Sequence, residues 1–255
     1  MVKAAFKPQA RLMLLLGDQL IRDAGVAVFE LVKNAYDADA STCTVDLKNI
    51  DAEHASIVIQ DDGCGMSYNT IRDVWMSPGT SYRKEQRAHG ARSKRYKRLP
   101  LGEKGVGRFG AHKLGQVVEL VSKERGEKEV VFIIDWNQFD TTAPLSEVLV
   151  TIKSRKPIVF KGKSTGTRIS ISSLHETPWT RRRVRALHRA VTSICSPITT
   201  PDSFQAKLRL DPDPGKWLKG MLTPKQAIKT CHFRIKGKVT STGVTYNYRL
   251  SLIHI

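Results

Sequence analysis

The stretch ELVKNAYDADA, residues 30–40, decides how this chain is read. Its polar residues Glu30, Asn34 and Asp37 recur at spacings of four and three, so on a helix all three share one face. Beside that face Leu20, Ala24, Ala27, Val28 and Leu31 form an apolar stripe, and together the two patterns predict one long helix over 17–40. A carboxylate next to a carboxamide can orient a water as general base while the amide oxygen ligates a hard cation such as Mg2+, whose other ligands are phosphates and water. Taken alone, the same spacing also describes an ordinary solvated helix face, so the neighbouring motifs decide between the two.

Outward from this helix, residues 42–47 and 56–60 carry β-branched side chains in partial alternation and read as strands, the second ending at Asp61. There DDGCGM, 61–66, sets an acid at a strand end before a tight glycine turn. Such an acid accepts a hydrogen bond from an exocyclic amine, and Gly63 and Gly65 let a flat base approach the backbone. A calcium loop is discounted, because the alternating acids and closing glutamate are missing; a plain β-turn is the simpler rival. A third stretch, GEKGVGRFG at 102–110, is a glycine-rich loop running into a helix to about Leu114. Backbone N–H groups at a helix start, with Lys104 and Arg108 beside them, suit a triphosphate. Gly105, Gly107 and Gly110 satisfy G-x-G-x-x-G literally, but the basic KRYKRLPLGEK precedes them instead of an apolar strand, so a dinucleotide fingerprint fits poorly. A P-loop is excluded, since these glycines lead to Arg-Phe and not to Lys followed by Ser or Thr.

The rest of the chain frames these motifs. A short helix is expected over 67–76, capped by Ser67 and stopped before Pro78. Residues 79–100 lack apolar periodicity and hold eight basic residues between Arg83 and Arg98 against the single acid Glu85, which reads as a solvated loop. Strands are expected at 117–121, 129–134, 148–152, 167–171 and 204–210, and an arginine-rich helix at 179–193. Pro212 and Pro214 break the chain before a new β-rich segment at 232–250, which places a first domain at 1–211 and the start of a second at 212–255. The last six residues, LSLIHI, read like a translated sequencing adapter, an artificial end. No apolar run approaches membrane-spanning length, the longest near the start being 12–16. Four scattered cysteines without a C-x-x-C pair argue against zinc and for a reduced, cytoplasmic setting. The seven histidines sit beside no matched nucleophile. A net charge of +18 attracts polyanions.

ExxxNxxDA, DxGxGM and GxxGxG, in this order, resemble the N box and the two glycine boxes of the GHKL ATPases, the superfamily of DNA gyrase B, Hsp90-class chaperones, sensor histidine kinases and MutL proteins. Gly166-Thr167-Arg168-Ile169 resembles that family's late strand, whose threonine helps to hold adenine and its water. The phrases FKPQA, MSPGTS and, more weakly, SPITTPDSF extend the likeness, which looks nearest to bacterial GHKL proteins and the MutL and Microrchidia branch.

The resemblance implies a Bergerat-type α/β sandwich, a mixed β-sheet with helices on one face, followed by the start of a β-rich, transducer-like domain. It implies ATP as substrate with Mg2+, and a lid at about 77–101 that closes as Lys104, Gly105, Val106, Gly107, Arg108 and Phe109 meet the phosphates. By the same likeness Glu30 polarises the attacking water, Asn34 holds the metal and Asp37 supports its water shell. Asp61 receives the adenine amine, Gly63, Gly65 and Met66 line the base pocket, and Thr167 assists. An ATP-gated switch that forms a homodimer follows from this reading. Its rivals are a histidine-kinase catalytic domain, against which no helical hairpin precedes residue 17, and a DNA- or RNA-binding module using the basic lid and Arg181, Arg182, Arg183, Arg185 and Arg189.

Overall fold

The computed structural model describes residues 7–77, 92–102, 107–195, 203–211, 213–221 and 233–250, with Lys3, Ala5 and Gln226. The single helix expected over 17–40 is two helices, α1 (Leu12–Leu20) and α2 (Ala24–Asp37). Asp23 is the reason. Its backbone is extended and its carboxylate accepts the Val26 N–H at 2.9 Å, a cap that satisfies a free amide and requires the preceding chain to leave the helix. Leu20 therefore drops off the apolar stripe and is exposed, while Ala24, Ala27, Val28 and Leu31 are buried as the periodicity requires.

Seven strands form one sheet among the described residues: β1 (Thr42–Lys48), β2 (Ser56–Asp61), β3 (Gly115–Lys123), β4 (Glu129–Asp135), β5 (Ile152–Arg155), β6 (Gly166–Leu174) and β7 (Gln205–Asp211). Their spatial order is β5-β4-β3-β6-β2-β1-β7. Every neighbouring pair is antiparallel except β1 with β7, so the sheet is mixed, as expected. The strand expected at 148–152 begins only at Ile152. Before it, Leu145–Glu147 is a 3-10 turn, and Val148 and Val150 pack against the core instead of entering the ladder.

Alternation gives each central strand one buried face. Cys43, Val45 and Leu47 of β1, Ile57 and Ile59 of β2, Val118 and Leu120 of β3 and Ile171 of β6 share one core with the helices. That layer holds α2, α3 (Gly110–Leu114) and α4 (Arg181–Ser193), whose buried residues include Val184, Leu187 and Val191. Gly110 sets the α2–α3 spacing, because a Cβ there would lie 2.9 Å from the Ala27 carbonyl oxygen. The segment expected as a helix over 67–76 is a wider π-helical turn, Thr70–Trp75, with Ser67 Oγ accepting the Thr70 N–H as its cap. Ile71 in this turn is fully buried, and Trp75 packs on Phe132 with ring centroids 4.8 Å apart.

The arginine-rich helix starts at Arg181, not at 179, since Thr180 accepts the Arg183 N–H and Trp179 turns into the core. Arg181 and Arg185 both donate to the carbonyls of Trp217 and Lys219, closing the end of α5 (Pro214–Leu218). The first compact unit runs to Lys219 apart from residues 197–199. The second contains an antiparallel hairpin, β8 (Phe233–Thr240) with β9 (Gly243–Leu250). The tail at 251–255 and most of SPITTPDSF lie outside the described residues.

Asp23→Ala should lower stability by about 1 kcal/mol, the usual scale of a lost cap, measured by urea unfolding near neutral pH. The Val26 amide bond, outweighing burial, holds the Asp23 carboxyl below its ordinary value. Its contribution is therefore present above that value, and the difference between the two proteins should close as pH falls into the acid range.

Candidate functional site

Three strand ends meet at Asp61. The side chain follows Ile57 and Ile59 on the helix-facing side of β2, and Thr167 and Ser122 lie on the same side of β6 and β3, paired with one another in register. Asp61 Oδ1 accepts two backbone N–H groups, from Gly63 at 2.8 Å and from Thr167 at 3.3 Å. Among the described residues Oδ2 receives no donor, which leaves it for a ligand. Burial pushes the Asp61 carboxyl up to about 7 against the pull of those two amides, with the neighbouring Asp62 adding to the rise. Asp62 itself is spent on structure: it accepts the backbone N–H groups of Ser41 and Thr42 at 2.8 Å and the Ser41 hydroxyl, tying the glycine turn to the start of β1.

The glycines of DDGCGM are required by approach. A Cβ on Gly63 would lie 2.6 Å from the Ala38 carbonyl, and one on Gly65, whose φ is +69°, would overlap the Lys123 carbonyl. Gly166 has φ +143° and passes so close to the Asp61 carbonyl that no side chain fits. Met66 donates its N–H to Ser122 Oγ at 2.9 Å and packs against the core. Thr165 Oγ1 donates to the Gly63 carbonyl at 2.7 Å, closing the turn from the far side.

At the other end, the second glycine box lies against α2. A Cβ on Gly107 would be 3.2 Å from Glu30 Oε2 and 3.6 Å from the Asn34 amide nitrogen, so these residues converge as their spacing predicts. Lys33 bonds the other carboxylate oxygen, Oε1, at 2.8 Å, leaving Oε2 turned towards Gly107. Asp37 sits one turn further on, and its two oxygens accept the N–H groups of Leu101 at 2.7 Å and Gly102 at 3.0 Å. Phe109 is buried and lines an apolar cavity of about 150 Å3 with Met13, Trp75, Trp136 and Phe139. Lys104, Gly105, Val106 and the side chain of Arg108 lie outside the described residues.

Several residues here carry no motif. The solvated loop expected over 79–100 falls mostly outside the described residues, but 92–102 is anchored. Asp39 accepts the N–H groups of Arg95 and Tyr96, and Arg98 is buried, donating to the Tyr36 and Ala40 carbonyls at 3.2 and 2.7 Å over the rings of Tyr36 and Phe204. Lys123, also buried, donates to the carbonyls of Gly162 and Ser164 at 2.7 and 2.9 Å. Glu129 accepts the Val159 and Phe160 N–H groups at 2.6 Å and pairs with Arg155. Together they pin the 156–165 loop that delivers Thr165 and Gly166 to Asp61. The sequence carries no sign of them, since it shows neither their burial nor the partners that such buried groups require.

An acid at a strand end, close-approach glycines and a polar helix face under a glycine loop define an α/β nucleotide-binding domain. The chain matches the family described as histidine kinase-, DNA gyrase B-, and HSP90-like ATPase over residues 23–167, more than half its length, and belongs to it. It is an ATP-binding domain of that family. No curated protein matches the chain. No helix among the described residues is long and apolar enough to cross a membrane.

Between the ordinary carboxylate value and about 7, the native protein holds a proton at Asp61 that the unfolded chain has released. Its stability without nucleotide should therefore decline as pH rises from 5 to 8. Asp61→Asn keeps the acceptor for both amides without the charge, so that decline should flatten in thermal unfolding at the two pH values.

Proposed function

We propose that this chain binds Mg2+-ATP with its base at Asp61 and its phosphates between Gly107 and the Glu30–Asn34 face, and that it hydrolyses the γ-phosphate bond. The observation that carries this reading is the placing of Glu30 Oε2 and the Asn34 amide directly against the Gly107 backbone, within one domain that also presents the unfilled oxygen of Asp61.

Each residue's role follows from its chemistry. Asp61 Oδ2 accepts the exocyclic amine, and the backbone turn 63–66 forms the wall against which the base lies. Glu30, held by Lys33, accepts the proton of the attacking water through Oε2. Asn34 supplies a hard amide oxygen and would hold Mg2+, with Asp37 acting through a water. The ion, when bound, neutralises phosphate charge. The same Asp37 bonds tie the start of the glycine loop to α2, so filling the site and moving the lid are one event, an ATP-gated switch coupled to pairing of two copies, as the resemblance implies.

Asp61→Asn puts an N–H2 where the base presents its own amine, and should abolish ATP binding detectable by calorimetry; unchanged affinity would refute the pocket. Glu30→Ala should keep binding and lose roughly 10²–10⁴-fold in ATP turnover, the scale of a lost general base. Full turnover in that variant would remove Glu30 from the role.

A further inference from the structure

Three partners meet at the Ser122 hydroxyl, which is 0% exposed at the end of β3. The Met66 N–H lies 2.9 Å from its Oγ, the Thr167 hydroxyl 2.9 Å and the Gly166 carbonyl 3.0 Å. A hydroxyl has one proton and two lone pairs. A carbonyl oxygen can only accept, so the Ser122 proton goes to Gly166. The two lone pairs then accept, one from the Met66 N–H and one from the Thr167 O–H, and the valence of Ser122 is filled.

The consequence falls on Thr167. Its hydroxyl proton is committed to Ser122 and its backbone N–H to Asp61 Oδ1, so Oγ1 presents only lone pairs. Thr167 is partly exposed, unlike Ser122, and sits beside Asp61 on the same side of the sheet. Asp61 Oδ2, with no donor among the described residues, is the other group there. The polarity of this corner is set one layer behind the ligand, by a side chain that cannot touch it.

We infer that Ser122 is a specificity-determining residue of the base pocket: by holding the Thr167 hydroxyl as an acceptor, it makes the site select a purine with an amino group at C6 over one with a carbonyl there. The inference rests on the ATP reading above and deepens it. With Asp61 ionised, as it is above about pH 7 where the comparison is to be made, a 6-amino purine brings N–H donors, directly or through a water, to an acceptor pair. A 6-oxo purine brings lone pairs to lone pairs and leaves buried acceptors unpaired, the arrangement by which polar sites reject near-isosteres. Without Ser122 the Thr167 hydroxyl is free to rotate, and a hydroxyl that rotates can donate to a 6-oxo group as readily as it accepts.

The test measures affinities of the full chain for ATP and for inosine triphosphate by calorimetry, in the wild type, Ser122→Ala, Thr167→Val and the double variant. Ser122→Ala should reduce the ratio of ATP to inosine triphosphate affinity about tenfold, the scale of one hydrogen bond, with inosine triphosphate binding held or improved. In the Thr167→Val background the Ser122 change should leave the ratio where it is, because the hydroxyl it acts through is gone. Loosening of the fold alone weakens both nucleotides in parallel, so an unchanged ratio in folded Ser122→Ala overturns the inference while leaving the ATP site intact. Should Ser122→Ala fail to fold, Thr167→Val decides: an unchanged ratio there overturns it equally. A wild type that binds neither nucleotide overturns the ATP reading itself, and the inference with it.

Discussion

A half-buried carboxylate at the end of β2 is the constraint on which the rest of this domain depends. Desolvation works against its charge, and among the described residues the N–H groups of Gly63 and Thr167 offset it. To bring both amides to one oxygen, the chain must turn sharply after Asp61 and β6 must run in close from the other side. That is why Gly63, Gly65 and Gly166 stand where no side chain has room. Lys123, Glu129 and Thr165 serve the same end at greater distance, since the loop they pin is the one that starts β6. On the proposed reading, a ligand amine meets the second oxygen and completes the set.

Much of this was legible in the sequence because the chemistry is local. The acid and glycines of 61–66 and the polar face of α2 are each written within a few residues, and helical spacing alone brings Glu30 and Asn34 together. The sheet strands were legible from alternation, apart from 148–152, where valines that suit a strand serve the core instead. The break at Asp23 was hidden because the apolar stripe runs on through it, and periodicity says nothing of a cap. Ser122 and Lys123 were not legible at all, because their meaning lies in pairings with residues about forty positions away, in β6 and in the loop before it. Asp39 and Arg98, joining the end of α2 to the segment 92–102, escaped for the same reason.

The arginines of α4 show how far charge counting carries. Of the five, Arg181 and Arg185 close the end of α5, and Arg183 pairs with Glu176 and lies over the Trp179 ring. A helix that reads as a polyanion surface is in good part a brace between elements of the fold. Arg98 makes the same point, as a residue from the most basic stretch of the chain that is buried among aromatic rings and carbonyls. The large positive charge describes the field around the molecule. It does not by itself identify which cations are free to meet a partner.

On the proposed reading, one cleft holds the base at Asp61 and the phosphates at Gly107. A crystal structure of the chain with Mg2+ and a non-hydrolysable ATP analogue tests it most directly. The 6-amino group should lie within hydrogen-bonding distance of Asp61 Oδ2 and the γ-phosphate beside the Gly107 backbone, facing Glu30. A nucleotide bound with its base away from Asp61, or with its phosphates off the α2 face, would contradict it.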